Sequence, residues 1–320
     1  MRSLLEEDAR CVEGSRFPIL TATGEEALLA GLGANVEELR ELLLRAGAIL
    51  LRGFATDRES FGALVDLLSG GRLDYVYRST PRSSVADRIF TATNYPADRE
   101  IPLHCEEAYQ RNWPMLLAFY CERPATEGGE TPLADMARVT ARIAPDLLRE
   151  FRERGVRYVR NYIEGLDLPW SDVFQTRSRA EVERYCATHG IEFEWRRDGS
   201  LRTAQNCQGT AVHPRSGEEL WFNQAHLFHA SSLGAAVARD MIETFGADGL
   251  PRNALYGDGG EIADADLASI RAAFAQERVA FGWREGDVLL VDNMQVAHAR
   301  NRFAGPRSVL VAMGAPRFAE

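Results

Sequence analysis

The chain has 320 residues, with 37 Lys and Arg residues against 47 Asp and Glu residues, and a formal net charge of -10. This acidic balance argues against nucleic acid or an anionic membrane as the main partner. All 37 basic residues are Arg, which excludes a lysine Schiff base and a phosphate-binding loop that needs its Lys.

The predicted elements begin with helices and a short apolar strand. Residues 36–46 have apolar side chains at helical spacing, and the run at 48–54 predicts a buried strand. Asp57 predicts the start of a second helix, which Gly70 ends. The other predictions are strands at 116–121, 130–134, 156–163, 191–196, 201–207, 219–222, 278–283, 287–292 and 307–313, and helices at 138–154 (interrupted near Pro145), 234–245 and 264–275.

This order of elements predicts a mainly β fold with helical insertions. Short strands with inserted helices indicate a jelly roll, and the lack of regular strand–helix alternation argues against a doubly wound sheet. We expect one domain over residues 1–320. Residues 1–45 form an N-terminal extension in this interpretation, and residues 136–200 and 233–277 form helical insertions around the jelly-roll core.

The cysteines and the N-terminus indicate the compartment. The five cysteines are widely spaced and include no Cys-x-x-Cys pair, which is typical of reduced thiols and not of a disulfide framework or a zinc knuckle. The first ten residues lack an apolar core, and no apolar run approaches the roughly 20 residues that a membrane helix needs. We therefore expect a cytoplasmic protein without a membrane partner.

A candidate metal site begins at His104 and Glu106. In a strand, residues two apart point to the same face, so both side chains could reach one metal ion. Such a pair arises by chance and needs a third ligand, for which His298, after an apolar strand and a polar turn, is the best candidate. Two His and one carboxylate form the facial triad of non-heme Fe(II) oxygenases, and the same ligands suit zinc.

Arg307 and Thr131 are candidates for binding a cosubstrate carboxylate. Arg307 lies nine positions after His298 on the next strand-like run, and a bidentate Arg binds a buried carboxylate well. Thr131 would add one hydroxyl donor. On spacing alone, each of these residues has a simpler explanation. His298 would be a structural histidine, Arg307 would form a surface ion pair, and Thr131 would be a β-branched strand residue.

Several long motifs agree at once with a known family. They are LHCEEAY (103–109), FYCERPATEGGETPLAD (119–135), WFNQAHLFH (221–229) and GDVLLVDNMQVAHARNRFAGPRSVLVAM (286–313). In order and spacing they resemble the taurine dioxygenase/TfdA family, and most of all its branch with the syringomycin-type amino-acid hydroxylases. The resemblance implies a double-stranded β-helix, which is a cupin-like jelly roll, and an enzyme that uses Fe(II), 2-oxoglutarate and O2.

The resemblance also implies roles for the five candidate residues. His104, Glu106 and His298 match the iron ligands of the family. Arg307 matches the Arg that binds the distal carboxylate of 2-oxoglutarate, and Thr131 matches its hydroxyl partner. Related halogenases lack the carboxylate ligand, so Glu106 favours hydroxylation over halogenation.

Two positions depart from the family pattern. Cys105 stands where the branch usually has Asn, which leaves open whether the thiol packs or is a site of oxidative damage. Ser308 stands where many members carry a second basic residue, which leaves open whether Arg307 acts alone on the cosubstrate.

Further residues are weaker candidates for the substrate side of the pocket. We interpret His226 as structural, and a solvated rim position is the alternative for Arg300. The run Arg152, Arg154, Arg157 and Arg160 is interpreted as a solvated face, with docking of an acidic carrier protein as the alternative. The candidates for substrate contact are Asn94, Tyr95, Asn223, His229 and Arg300.

The sequence thus predicts a dioxygenase that oxidises, most simply by hydroxylation, an unactivated C–H bond. We expect a small polar, amino-acid-derived substrate, free or carrier-tethered, in specialised natural product metabolism. Desaturation, epoxidation or cyclisation stay open, as do the substrate, the carbon attacked and the oligomeric state. The alternatives are a zinc hydrolase, for which Glu107 is the nearest spare carboxylate, and a non-catalytic jelly-roll binding protein.

Overall fold

The computed structural model describes residues 10–22, 27–74, 77, 82–92 and 94–319. The strands in this part of the chain are β1 (Ile19–Thr21), β2 (Ala48–Arg52), β3 (Ser84–Ala86), β4 (Ile89–Thr91), β5 (Ile101–His104), β6 (Asn112–Arg123), β7 (Glu127–Gly128), β8 (Leu133–Asp135), β9 (Val156–Asn161), β10 (Glu192–Trp195), β11 (Leu201–Cys207), β12 (Thr210–Val212), β13 (Glu219–Trp221), β14 (Arg252–Tyr256), β15 (Val288–Asp292), β16 (Val296–Arg300), β17 (Phe303–Ala304) and β18 (Ser308–Phe318). The helices are α1 (Leu28–Leu32), α2 (Val36–Ala46), α3 (Arg58–Ser69), α4 (Met136–Arg142), α5 (Pro145–Arg154), α6 (Trp170–Val173), α7 (Arg179–His189), α8 (Ala225–Phe228), α9 (Ala235–Phe245) and α10 (Asp264–Gln276).

The centre of the fold is a seven-stranded sheet with the strand order β1-β2-β15-β6-β18-β4-β3. Its apolar side chains alternate between the two faces, because residues two apart in a strand share a face. Leu116 and Leu290 belong to the face that packs against α1, α2 and α3. Phe119 and Leu289 belong to the opposite face, which packs with Leu133 and Val296 of the three-stranded sheet β5-β16-β8. These two facing sheets are the predicted jelly-roll core.

A second core surrounds a four-stranded sheet with the order β10-β11-β9-β14. The region predicted as a helical insertion at 136–200 therefore contains strands β9 and β10 as well as four helices, and the region at 233–277 contains β14 as well as α9 and α10. At the N-terminus, β1 pairs in parallel with β2 and extends the main sheet. Residues 1–9 and 23–26 of the predicted extension lie outside the described residues.

The helix boundaries follow the predicted signals. Asp57 accepts a hydrogen bond from the backbone N–H of Ser60 at 2.8 Å, and the left-handed Gly70 ends α3. Pro145 begins α5 and separates it from α4, at the predicted interruption. No described helix combines the length and the apolar character that a membrane crossing requires.

The predicted strand at 278–283 is wrong. Leu133 and Val279 exchange two backbone hydrogen bonds, of 2.8 and 2.9 Å, but no regular ladder continues from them. Phe281 and Trp283 instead pack their rings edge to face in the core, with centroids 4.9 Å apart. The apolar pattern of this segment therefore reflects two buried rings and not strand pairing.

Candidate metal and cosubstrate site

The three predicted metal ligands meet between two adjacent strands. His104 ends β5 and lies opposite His298 of β16 in an antiparallel pair. The Oε2 atom of Glu106 is 3.6 Å from Nε2 of His298 and 4.0 Å from Nε2 of His104. The three potential ligand atoms lie within 4.8 Å of one another, so the chain brings together two imidazoles and one carboxylate as predicted.

Glu106 reaches this position from a turn, which corrects the prediction that it shares a strand with His104. Strand β5 ends at His104, and the chain turns through the next residues, with Glu107 at φ +57°. The buried Asn293, in the turn between β15 and β16, holds this turn. Its Oδ1 accepts from the backbone N–H of Glu106 at 2.7 Å, and its Nδ2 donates to the Glu106 carbonyl at 2.9 Å. The sequence analysis did not assign Asn293, although it marked the polar turn.

The state of the donor atoms fits a divalent metal ion. Nδ1 of His104 lies 2.8 Å from the Pro102 carbonyl, which fixes the ring with Nε2 toward Glu106. Burial, followed by the proximity of His298, lowers the pKa of His104 to about 3. Two imidazole nitrogens and one carboxylate suit Fe(II), and they also suit zinc.

An arginine that the sequence analysis missed lies beside the ligand carboxylate. Nη2 of Arg82 is 2.7 Å from Oε2 of Glu106, and both side chains are buried. Burial alone would raise the pKa of Glu106, but the charge of Arg82 and the hydrogen bond with His298 hold it well below its usual range. Glu106 is therefore ionised at neutral pH and available to a cation.

The same cavity is lined by the two predicted cosubstrate residues. It contains the three ligand side chains together with Thr131 and Arg307. Nε of Arg307 donates to the Gly129 carbonyl at 3.0 Å, and burial, with the charge of Arg300, lowers the Arg307 pKa to about 10. Arg307 therefore stays charged at neutral pH, as a carboxylate-binding residue must.

Two neighbours position this pair. Trp283 donates its indole N–H to Oγ1 of Thr131 at 3.1 Å, within the core. Gly129 has φ +73°, and a Cβ atom there would lie 3.0 Å from the Arg307 side chain. The departure at Ser308 does not add a partner to the cavity, because its hydroxyl donates to Glu122 at 2.6 Å and it is not a lining residue.

The weaker substrate candidates lie in different parts of the structure, some in the cavity lining and some outside it. Arg300 lines the cavity, but its guanidinium donates to the carbonyls of Tyr95 at 2.9 Å and of Pro96 and Arg99 at 2.6 Å. Tyr95 is 40% exposed, and the centroid of its ring lies 5.8 Å from the Arg300 guanidinium carbon. Asn94 is exposed and bonds Ser83 and Thr91. These contacts hold the 94–99 loop, and substrate contact by these residues stays a prediction.

The candidates in the WFNQAHLFH motif are outside the lining of the cavity. Asn223 is buried, donates to the Gly209 carbonyl at 2.6 Å and accepts from the Ala225 N–H at 2.9 Å. Nδ1 of His229 lies 2.9 Å from the hydroxyl of Ser231. Because their polar atoms bond locally, these two residues receive no support as substrate contacts.

The two residues beside Glu106 are both buried. Cys105 belongs to the second core, and burial raises the pKa of its thiol, which keeps it protonated. Burial and the charge of Glu106 raise the pKa of Glu107 well above its usual range, and Glu107 does not line the cavity. Among the described residues that line the cavity, Glu106 is thus the single carboxylate.

Comparison with protein families gives a match over most of the chain. The model of the "Taurine catabolism dioxygenase TauD, TfdA family" matches residues 23–313. The dapdiamide synthesis protein DdaC of Enterobacter agglomerans is 43% identical over 274 residues, which are 85% of this chain and 83% of that protein. The clavaminate synthase-like protein At3g21360 of Arabidopsis thaliana is 32% identical over 287 residues, with 86% and 83% covered.

Solved structures with the same fold are more distant in sequence. The crystal structure of PvcB from Pseudomonas aeruginosa has a TM-score of 0.56 and 18% identity, with 98% of this chain and 94% of PvcB covered. The crystal structure of AAD-2 in complex with Mn(II) and N-oxalylglycine has a TM-score of 0.56 and 13% identity, with 97% and 98% covered. At these identities the likeness concerns the fold.

Proposed function

The chain belongs to the taurine catabolism dioxygenase TauD/TfdA family, and from this premise we propose that it hydroxylates a small amino-acid-derived molecule. The family, its fold and its class of 2-oxoglutarate-dependent dioxygenases are confirmed as predicted. The predicted cofactors, which are Fe(II), 2-oxoglutarate and O2, are those of this class. The proposal concerns the residues that hold them and the substrate.

One observation carries the assignment of residues. A single cavity is lined by both the His104, Glu106 and His298 cluster and the pair Thr131 and Arg307. In our proposal the cluster holds Fe(II), and Arg307 with Thr131 binds the distal carboxylate of 2-oxoglutarate. A buried guanidinium with a neighbouring hydroxyl suits that role, because a buried carboxylate is costly to desolvate without such partners.

The protein positions the reactants and excludes water from the cavity. The bound metal, 2-oxoglutarate and O2 supply the oxidising power for a C–H bond. Glu106 occupies the position that related halogenases leave to chloride, which favours hydroxylation. Phe119 and Ala299 are apolar residues of the cavity wall, and they limit the access of water to the reacting bond.

The relatives support the proposed substrate class. DdaC is named as a dapdiamide synthesis protein, which supports an amino-acid-derived substrate in specialised metabolism. Tethering to a carrier protein receives no support from the basic run, because Arg152, Arg154, Arg157 and Arg160 pair with Glu219, Asp258, Glu192 and Asp167. The net charge of -10 agrees with a small-molecule enzyme that does not bind nucleic acid.

The compartment is a further part of the proposal. None of the described cysteines forms a disulfide, and we propose a cytoplasmic location on this usage of thiols.

The zinc hydrolase and the non-catalytic binding protein are less well supported. A hydrolase with these ligands needs a general base near the metal, and among the described lining residues the single carboxylate is Glu106 itself. Neither alternative needs the Arg307 and Thr131 pair.

The test is succinate release from 2-oxoglutarate under air by protein loaded with Fe(II) or with Zn(II), in the presence of a panel of amino acids. We expect the Fe(II)-loaded wild type to release succinate. The Zn(II)-loaded wild type and His104→Ala should release none. Arg302→Ala removes an exposed arginine that does not line the cavity, and this variant should match the wild type. The proposal is overturned if folded, iron-loaded wild type releases no succinate. It is also overturned if the zinc-loaded protein hydrolyses a compound of the panel.

A further inference from the structure

Arg82 and Glu106 form a buried ion pair inside the candidate metal site. Their side chains are 5% and 4% exposed, and Nη2 of Arg82 is 2.7 Å from Oε2 of Glu106. Arg82 also lines the cavity and is close enough for its charge to lower the pKa of His104. The arginine is thus part of the site, although no motif of the family points to it.

The oxygen that Arg82 contacts is the one that faces the histidines. The same Oε2 atom lies 3.6 Å from Nε2 of His298 and 4.0 Å from Nε2 of His104. A metal ion held by the three side chains would bind this oxygen and draw its negative charge. The strength of the contact between Arg82 and Glu106 therefore depends on whether a cation is bound.

Arg82 lies at the metal end of the cavity, where it lines the wall together with Glu106, His104 and His298. Its contact atom on Glu106 is the oxygen that faces the two histidines, so displacement of Arg82 from Glu106 enlarges the part of the cavity next to the metal site.

The charges of the cavity favour an anion in that part. Among the described lining residues, Arg82, Arg300 and Arg307 are positive, and Glu106 is negative. A divalent metal adds two positive charges, and 2-oxoglutarate compensates them with two carboxylates. Arg307 is assigned to one of these carboxylates, and Arg300 donates to three backbone carbonyls. The positive charge nearest the metal is then Arg82.

We propose that Arg82 exchanges Glu106 for a carboxylate of the substrate when a divalent metal binds the triad. The inference rests on the proposed function and extends it, because it makes the substrate an acid whose carboxylate lies next to the metal. In the structure the charge of Arg82 neutralises the buried Glu106. In the loaded protein its planar guanidinium binds a carboxylate through paired hydrogen bonds.

The first experiment measures Mn²⁺ affinity by electron paramagnetic resonance for the wild type, Arg82→Met and Arg302→Met. The control variant removes an exposed arginine and the same charge. Loss of a charge-assisted hydrogen bond that competes with the metal should tighten Mn²⁺ binding by Arg82→Met about tenfold. If Arg82 merely orients Glu106 as a ligand, Arg82→Met binds Mn²⁺ more weakly, and the proposal is overturned.

The second experiment measures acetate binding, with acetamide as the neutral comparison, to the complex of each protein with Mn²⁺ and N-oxalylglycine. We expect acetate to bind Arg82→Met about tenfold more weakly than the wild type. Arg302→Met should bind acetate with wild-type affinity. The affinity for acetamide should be the same in the wild type and both variants. Arg82→Lys keeps the charge and should retain part of the acetate affinity, which separates the effect from misfolding.

The outcomes distinguish the two proposals. Equal acetate affinity in folded wild type and Arg82→Met overturns the role of Arg82 alone. Failure of the wild type to bind Mn²⁺ or N-oxalylglycine overturns the proposed function beneath it.

Discussion

At the residue scale, the geometry of the site depends on side chains that lie behind the proposed ligands. Asn293 is fully buried and bonds both backbone groups of Glu106. It also donates to the Pro114 carbonyl at 2.8 Å, so it ties the ligand turn to β6. Outer partners of this kind keep a ligand in the orientation that the metal requires.

We expect Asn293→Ala to weaken Mn²⁺ binding about 10–100-fold and to destabilise the fold by roughly 2 kcal/mol or more, because buried backbone groups lose their partner. Metal titration and urea unfolding measure the two effects. Asn206→Ala, on the exposed side of β11, is the control and should leave the metal affinity unchanged. Wild-type Mn²⁺ affinity in Asn293→Ala would contradict this role.

Trp283 fixes the direction of the Thr131 hydroxyl. An indole N–H only donates, so Oγ1 of Thr131 accepts from Trp283 and its own proton is available to a carboxylate. We expect Trp283→Phe to raise the dissociation constant of 2-oxoglutarate about three- to tenfold, measured by calorimetry on the Mn²⁺-loaded protein.

Thr131→Val provides the matched comparison for this prediction. Because the two residues act through one hydrogen bond, the double variant should lose little more affinity than Thr131→Val alone. Fully additive losses would show that Trp283 acts by another route.

The sequence predicts the proposed ligands but not the residues that support them. His104, Glu106, His298, Thr131 and Arg307 stand in long motifs with characteristic order, so a resemblance reaches them. Arg82 lies in a segment without periodicity, and its contact with Glu106 spans 24 positions. Such a contact depends on tertiary packing, and spacing along the sequence does not encode that.

At the element scale, α8 is joined to β5 by His226. Its Nε2 lies 3.0 Å from the Leu103 carbonyl, and its ring stacks on Phe274 of α10 with centroids 4.6 Å apart. Burial lowers the pKa of His226 to about 4. The contact supports the structural role predicted for this histidine, and it places a titratable group of α8 against the strand that carries a proposed ligand.

Acid should weaken this junction. Between pH 6.5 and 4 the unfolded chain binds a proton at His226 that the folded chain does not, so the free energy of unfolding falls as the pH is lowered through this window. At pH 4 this titration lowers the free energy of unfolding by about 3 kcal/mol. His226→Gln does not titrate, and urea unfolding at several pH values should show a shallower pH dependence. A slope equal to that of the wild type would refute the assignment.

The elements themselves were predictable where apolar periodicity and capping residues agree. Helices α2 and α3 and strands β2 and β15 are such cases. The segment at 278–283 is an exception, because two inward aromatic rings, Phe281 and Trp283, imitate the alternation of a strand. The turn at Glu106 was also missed, since the left-handed conformation of Glu107 leaves no sign in its residue type.

At the scale of the whole molecule, the two facing sheets bring two chemical functions into one cavity. The small sheet supplies His104 and His298, and Arg307 immediately precedes β18 of the large sheet. Residues 136–200 and 233–277 contribute the helices and strands that pack around the second core. The central claim is that this cavity binds a metal ion and 2-oxoglutarate together.

The most direct measurement is anaerobic titration of the Fe(II)-loaded protein with 2-oxoglutarate, observed through the visible charge-transfer band of the chelate. We expect a band in the wild type and in Arg302→Ala, no band in His298→Ala, and a band that needs about tenfold or more 2-oxoglutarate in Arg307→Ala. Intact, iron-loaded wild type without a band would contradict the claim.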